Sequence, residues 1–81
     1  MELLDREAFL NAVREGRMIV ITDSATGNKL HRPECVWVDE QHFVRKVLDN
    51  GKRNGRYYAV DSAEDARSSF AAVACHVCFT S

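Results

Sequence analysis

Two short segments far apart in the chain, His31-Arg32-Pro33-Glu34-Cys35 and Cys75-His76-Val77-Cys78, contain all three of its cysteines. An odd number of thiols cannot close into a set of disulfides, so these side chains need another reason to be present. Zinc supplies one, because it takes four tetrahedral ligands drawn from thiolate sulfur and imidazole nitrogen. Cys75-x-x-Cys78 has the spacing of a knuckle that lets both sulfurs reach one ion. His31-x-x-x-Cys35 is slightly wider, and Pro33 stiffens the turn inside it. The spacing therefore predicts that His31, Cys35, Cys75 and Cys78 close on one structural Zn²⁺ and tie the two halves of the chain together. Two other readings of the thiols compete with it. A lone Cys-x-x-Cys also fits a redox pair, although such a pair opens a helix after a strand and would leave Cys35 unexplained. Isolated cysteines are also common as inert core residues. His42 and His76 are the other candidates for the nitrogen ligand. His76 lies inside the knuckle, with its ring expected to point away from the ion. His42 falls on the polar side of a predicted helix, so His31 is preferred.

Length makes the metal matter. The chain has 81 residues, room for one domain over residues 1–81, and a domain of that size has a thin core. Apparent zinc-binding energies in finger peptides reach about 10–16 kcal/mol, as large as the stability of a whole ordinary domain, about 5–15 kcal/mol. Eleven basic and twelve acidic side chains leave a formal charge of −1. Three thiolates and one divalent ion would make it more negative by one unit. That balance argues against indiscriminate attraction to phosphate backbones while allowing a local basic patch. No window has the length and apolarity of a membrane span, and no basic-then-apolar leader opens the chain. A cytoplasmic protein is expected, with no membrane partner.

The elements read in order. Asp5 is a helix N-cap, with Leu4 and Phe9 at the positions of a hydrophobic staple. Phe9, Leu10 and Val13 form the apolar face, and Gly16 stands where the helix should stop. Met18-Ile19-Val20-Ile21 is a β-branched strand. The turn-rich stretch Asp23 to Asn28 folds it back into Lys29-Leu30-His31, which delivers His31 at the end of a hairpin. Phe43, Val44, Val47 and Leu48 are spaced as one helical face between Asp39 and Gly51. Arg56 to Val60 is a third strand. Ser62 caps a second clear helix, with Asp65 as its capping-box partner and Ala63, Ala66 and Phe70 on one side. The expected fold is a small α+β zinc-binding domain. It would have a short antiparallel sheet, an N-terminal helix, and a helix leading into the C-terminal Cys-x-x-Cys knuckle.

The stretch after the first ligand pair is the most basic in the chain. Arg45, Lys46, Lys52, Arg53 and Arg56 fall close together, with Asp49 as the acid among them. They are candidate phosphate contacts, and equally a solvated helix end whose cations complement its dipole. Trp37, Tyr57 and Tyr58 could stack on bases, but aromatics beside strands more often belong to the core.

His31-Arg32-Pro33-Glu34-Cys35, Tyr57-Tyr58-Ala59, Ser62-Ala63-Glu64-Asp65-Ala66 and Cys75-His76-Val77-Cys78 together resemble the N-terminal metal-binding domain of Ada DNA-alkylation-repair proteins. The resemblance spans residues 29 to 78 and implies a single Ada-like zinc domain. In that family the first cysteine of the first pair accepts a methyl group from DNA. That position here is His31, whose lone pair would be engaged by the ion, so methyl transfer there is not expected. The family's Gly-aromatic-Arg-Pro run before its last knuckle is replaced by Ala71-Ala72-Val73-Ala74. The interval between the ligand pairs is longer here, which implies an insertion near residues 39 to 55. The expectation is a non-enzymatic structural-zinc module without catalytic residues or a small-molecule substrate. It would be associated with DNA or RNA or, as the alternative, with a protein partner. A methyl acceptor at Cys35 or a catalytic zinc is the third candidate. Glu34, the one carboxylate beside the ligand pairs, is better read as part of a turn.

Overall fold

The computed structural model describes residues 1–53 and 55–79. Helix α1 (Arg6–Arg14) is followed by strands β1 (Met18–Ile21) and β2 (Lys29–His31). Helix α2 (Glu40–Phe43) then runs directly into a π-helix (Val44–Asp49). Strand β3 (Tyr57–Val60), helix α3 (Ala63–Phe70) and strand β4 (Val73–Ala74) complete the fold. The sheet order is β3-β1-β2-β4. β1 pairs antiparallel with both β2 and β3. The sheet is not purely antiparallel as expected, because β4 joins β2 in parallel.

The α+β architecture follows from where the apolar residues go. The central strand β1 reads as an unbroken apolar run because both of its faces are covered. Ile19 and Ile21 pack with Phe9, Phe43, Val47, Tyr57 and Ala59 on one face. Val20 packs with Leu30, Val60, Ala66 and Ala72 on the other. On the first face three rings interlock. Phe9 stacks on Phe43 with centroids 4.7 Å apart, and Tyr57 meets both edge-on at 5.9 and 5.2 Å. Such geometries place a ring's positive edge on a neighbour's negative face and add to area burial.

Helix starts match the sequence well. The Asp5 carboxylate accepts a hydrogen bond from the Ala8 N–H, and the Ser62 hydroxyl accepts one from Asp65 N–H. The staple is corrected: Leu4 is exposed, and its neighbour Leu3 is fully buried instead. Ala63 is also exposed, leaving Ala66 and Phe70 to seat α3. The segment after α2 departs from the α period. A π turn takes more than four residues, so the 43/44/47/48 face does not hold. Phe43 and Val47 stay buried, whereas Leu48 turns to solvent. Asp39 makes no side-chain cap bond and lies instead 3.6 Å from His42. Among the aromatics, Tyr57 is core as expected, while Trp37 is half exposed. Among the described residues no helix is long and apolar enough to cross a membrane.

Candidate metal centre

The parallel pairing of β2 with β4 builds the site. Leu30 lies opposite Ala74, and the Cys75 N–H donates to Leu30 O at 2.9 Å. Two neighbouring strands running the same way therefore deliver His31 and Cys75 side by side at one end of the sheet. Each strand then turns back sharply. The Cys35 N–H donates to Arg32 O at 3.1 Å, which brings the Cys35 sulfur under His31. The Phe79 N–H donates to Cys75 O at 3.0 Å, which closes the Cys75–Cys78 knuckle.

One ligand atom from each of His31, Cys35, Cys75 and Cys78 lies within 4.8 Å of the others. His31 Nδ1 is 3.6 Å from Cys35 Sγ and 3.6 Å from Cys78 Sγ. Zn–S and Zn–N bonds of about 2.3 and 2.05 Å at the tetrahedral angle put nitrogen and sulfur about 3.6 Å apart. Two of the three nitrogen-to-sulfur edges thus already have the dimensions of a tetrahedral centre. His31, Cys35 and Cys75 are buried and Cys78 is partly so. None of the three cysteines is in a disulfide. The four residues chosen from spacing are therefore brought together and can hold a metal ion. His42 and His76 stay outside the group.

The electrostatics suit a cation. Burial, together with the charge of Lys29, pulls the His31 imidazole down to about 4, so at neutral pH its nitrogen lone pair is free to ligate. Burial works against ionising Cys75, but hydrogen bonds from the backbone N–H groups of Cys78 and Val77 and from the thiols of Cys78 and Cys35 bring its thiol below the usual range. Cys78 goes the other way. Burial and its hydrogen bond with Cys35 push it up to about 12, against a backbone N–H from Arg32. In the metal-free chain Cys75 therefore ionises before Cys78. A divalent ion supplies the charge that lets the remaining sulfurs ionise.

The same values give the pH response. Between about pH 4 and 6.5 the unfolded chain protonates His31 and the folded chain does not. The unfolded state then binds more protons, so stability rises with pH through that window and is lost as pH falls. Proton competition for the sulfurs acts in the same direction. The metal should be retained at neutral pH and released, with loss of folded signal, as pH drops below about 6. Dialysis across a pH series with metal analysis and circular dichroism checks this. Full retention at pH 4 would contradict it.

Beside the centre opens a cleft of about 610 Å³, with His31 and Cys75 in its wall. Of the basic residues singled out in the sequence, Arg45 and Lys46 line this cleft, and Lys46 is held by Asp23 at 2.5 Å. Lys52, Arg53 and Arg56 line a separate, shallower depression of about 260 Å³ on the other side of the β1–β2 loop. Lys52 and Arg56 approach Glu2 Oε2 at 3.6 and 3.8 Å. Among the described residues, Arg45 and Arg53 have no ion pair. The basic run is thus divided between two surfaces and partly neutralised, not gathered into one patch. Lys29, Trp37, His42 and His76 also line the cleft. Their convergence depends on long-range packing that no local spacing announces. Comparison of the chain with protein-family models, with curated proteins and with solved structures returns no match.

Proposed function

We propose that the chain is a small, non-enzymatic, Ada-like module that holds one structural Zn²⁺ and associates with nucleic acid. The observation that carries the reading is the donor set: three sulfurs and one imidazole nitrogen lie within 4.8 Å of one another, as many donors as a tetrahedral ion takes. Catalytic zinc keeps a position open for water, whereas structural zinc does not. A site made of sulfur and nitrogen alone also favours zinc over hard cations, which prefer oxygen. The association with DNA or RNA is supported by Arg45 and Arg53, exposed and free of ion pairs among the described residues, and by the sequence resemblance. Lys46, Lys52 and Arg56 add to that field less than their number suggests, because Asp23 and Glu2 oppose them.

Metal analysis of the purified protein tests the first half: one zinc per chain is expected. Fluorescence anisotropy with a labelled oligonucleotide tests the second. The logarithm of the binding constant should fall linearly with the logarithm of salt concentration, and removing one phosphate contact with Arg45→Ala or Arg53→Ala should make that slope shallower by about one. Glu2→Gln should strengthen binding by freeing Lys52 and Arg56. No binding at low salt, or binding indifferent to all three changes, would remove the nucleic-acid reading. The exposed apolar side chains Val36, Trp37 and Val77 near the two ligand pairs favour the alternative, a protein-docking module whose zinc is purely structural. It is distinguished by concentration-dependent self-association or a salt-insensitive protein partner.

A further inference from the structure

The cleft beside the metal centre is cationic in a chain of negative overall charge. Lys29 comes from β2 and Arg45 and Lys46 from the π-helix, against one carboxylate, Asp23, which Lys46 already engages. Three thiolates with a divalent ion would add a single negative charge to the wall, so the walls remain net positive. The same recess holds an aromatic platform. Trp37 is half exposed, its ring centroid is 5.7 Å from that of His42, and the buried Tyr57 ring closes the space behind. His42 Nδ1 is buried without a hydrogen-bond partner, with the Asp39 carboxylate 3.6 Å away. An indole left open in a recess offers a flat apolar face to whatever enters. The volume lies inside the range of small-ligand sites, roughly 300–1,000 Å³. A ligand matching both features needs a planar ring and an anionic group held a few ångströms from it. Inorganic phosphate lacks the ring, and an aliphatic carboxylate lacks the stacking face.

We propose that this cleft binds one nucleotide unit, with the base laid on Trp37 and the phosphate held by Arg45 and Lys29. For one source of that unit, a single-stranded nucleic acid, the inference rests on the nucleic-acid reading above. For the other, a free nucleoside monophosphate, it stands without it.

Trp37 is the sole tryptophan, so its emission reports directly on the platform. The metal-loaded protein at low salt is titrated with AMP, adenosine, ribose 5-phosphate and an eight-residue single-stranded RNA, following emission and, in parallel, heat. AMP should change Trp37 emission saturably, and adenosine and ribose 5-phosphate should each bind about tenfold more weakly or worse. Arg45→Ala and Lys29→Ala should weaken AMP while leaving the metal content unchanged. Trp37→Leu should abolish AMP binding as read by heat, again with the metal retained. An octanucleotide that changes Trp37 emission and binds about tenfold tighter than AMP identifies nucleic acid as the source; AMP binding as tight as the octanucleotide, or tighter, identifies the free nucleotide. An octanucleotide that binds with salt dependence but leaves emission untouched, with AMP silent as well, overturns the cleft assignment and spares the nucleic-acid reading. AMP binding without octanucleotide binding does the reverse. Silence from both removes both.

Discussion

Cys75→Ser or Cys78→Ser is expected to abolish metal binding and the fold together. Each serine substitution leaves a hydroxyl where the ion needs a thiolate, and the centre loses one of four bonds in a site with no spare ligand. The strength at stake is about 10–16 kcal/mol in zinc-finger peptides, against about 5–15 kcal/mol for whole domains. The packing around the site cannot compensate, because Cys35 and Cys75 are themselves part of the core with Phe9, Phe43 and Tyr57. His31→Ala should act alike, since His31 is buried at the end of β2. Each variant, and the unaltered protein with excess chelator, should give less than about 0.2 metal per chain and lose its cooperative thermal transition. A metal-free variant that melts like the original would show that the centre is dispensable.

Gly55→Ala is the second large effect, and it works through the backbone. A methyl group at Gly55 would collide with the Thr22 carbonyl oxygen and come within 2.7 Å of the Thr22 carbonyl carbon. Thr22 cannot yield easily. Its N–H donates to Arg56 O at 2.9 Å, and its hydroxyl accepts the Arg56 N–H at 2.8 Å. These two bonds carry the β1–β3 ladder one step past Tyr57. The methyl would also meet Lys46 Cε at 2.7 Å and push that side chain off Asp23. Overpacking costs about 1–3 kcal/mol, occasionally more; with rigid backbone on one side, a loss of about 3 kcal/mol is expected. In a domain of this size that lowers Tm by roughly 15 °C, with the metal still bound. A shift below about 2 °C would mean that the two strands separate more freely than their hydrogen bonds indicate.

These two sites show what was and was not legible in the sequence. The His/Cys cluster could be read because the spacing rules for zinc are local, and each pair lies within five residues. Asp5 and Ser62 could be read for the same reason, since a cap acts on N–H groups three residues ahead. The α+β class followed from the alternation of apolar strands with capped helices. Most of the missed features are non-local, with the Leu4 staple, the Asp39 cap and the π turn as local exceptions. Nothing in Val73-Ala74 marks a strand, because two residues become one only when Leu30 offers them a ladder. The π turn at Val44–Asp49 hid behind an acceptable α-helical face and misassigned Leu48. The basic run looked like one patch because sequence proximity says nothing about the β1–β2 loop that comes between Lys46 and Lys52. The demand at Gly55 is equally invisible, since the carbonyl it must clear belongs to a residue thirty-three positions earlier.

The brevity of β4 has a consequence for the chain without its ion. Two residues of parallel ladder are a weak seam, and the knuckle immediately beyond them is what keeps that seam shut. Once the clasp opens, β2 becomes a bare outer rung, its N–H and C=O groups facing water with no partner. Outer rungs of this kind recruit other chains by strand addition. An ion held there would thereby secure the domain internally and also guard it against its neighbours, and chelated material would be expected to turn cloudy before it turns fully random.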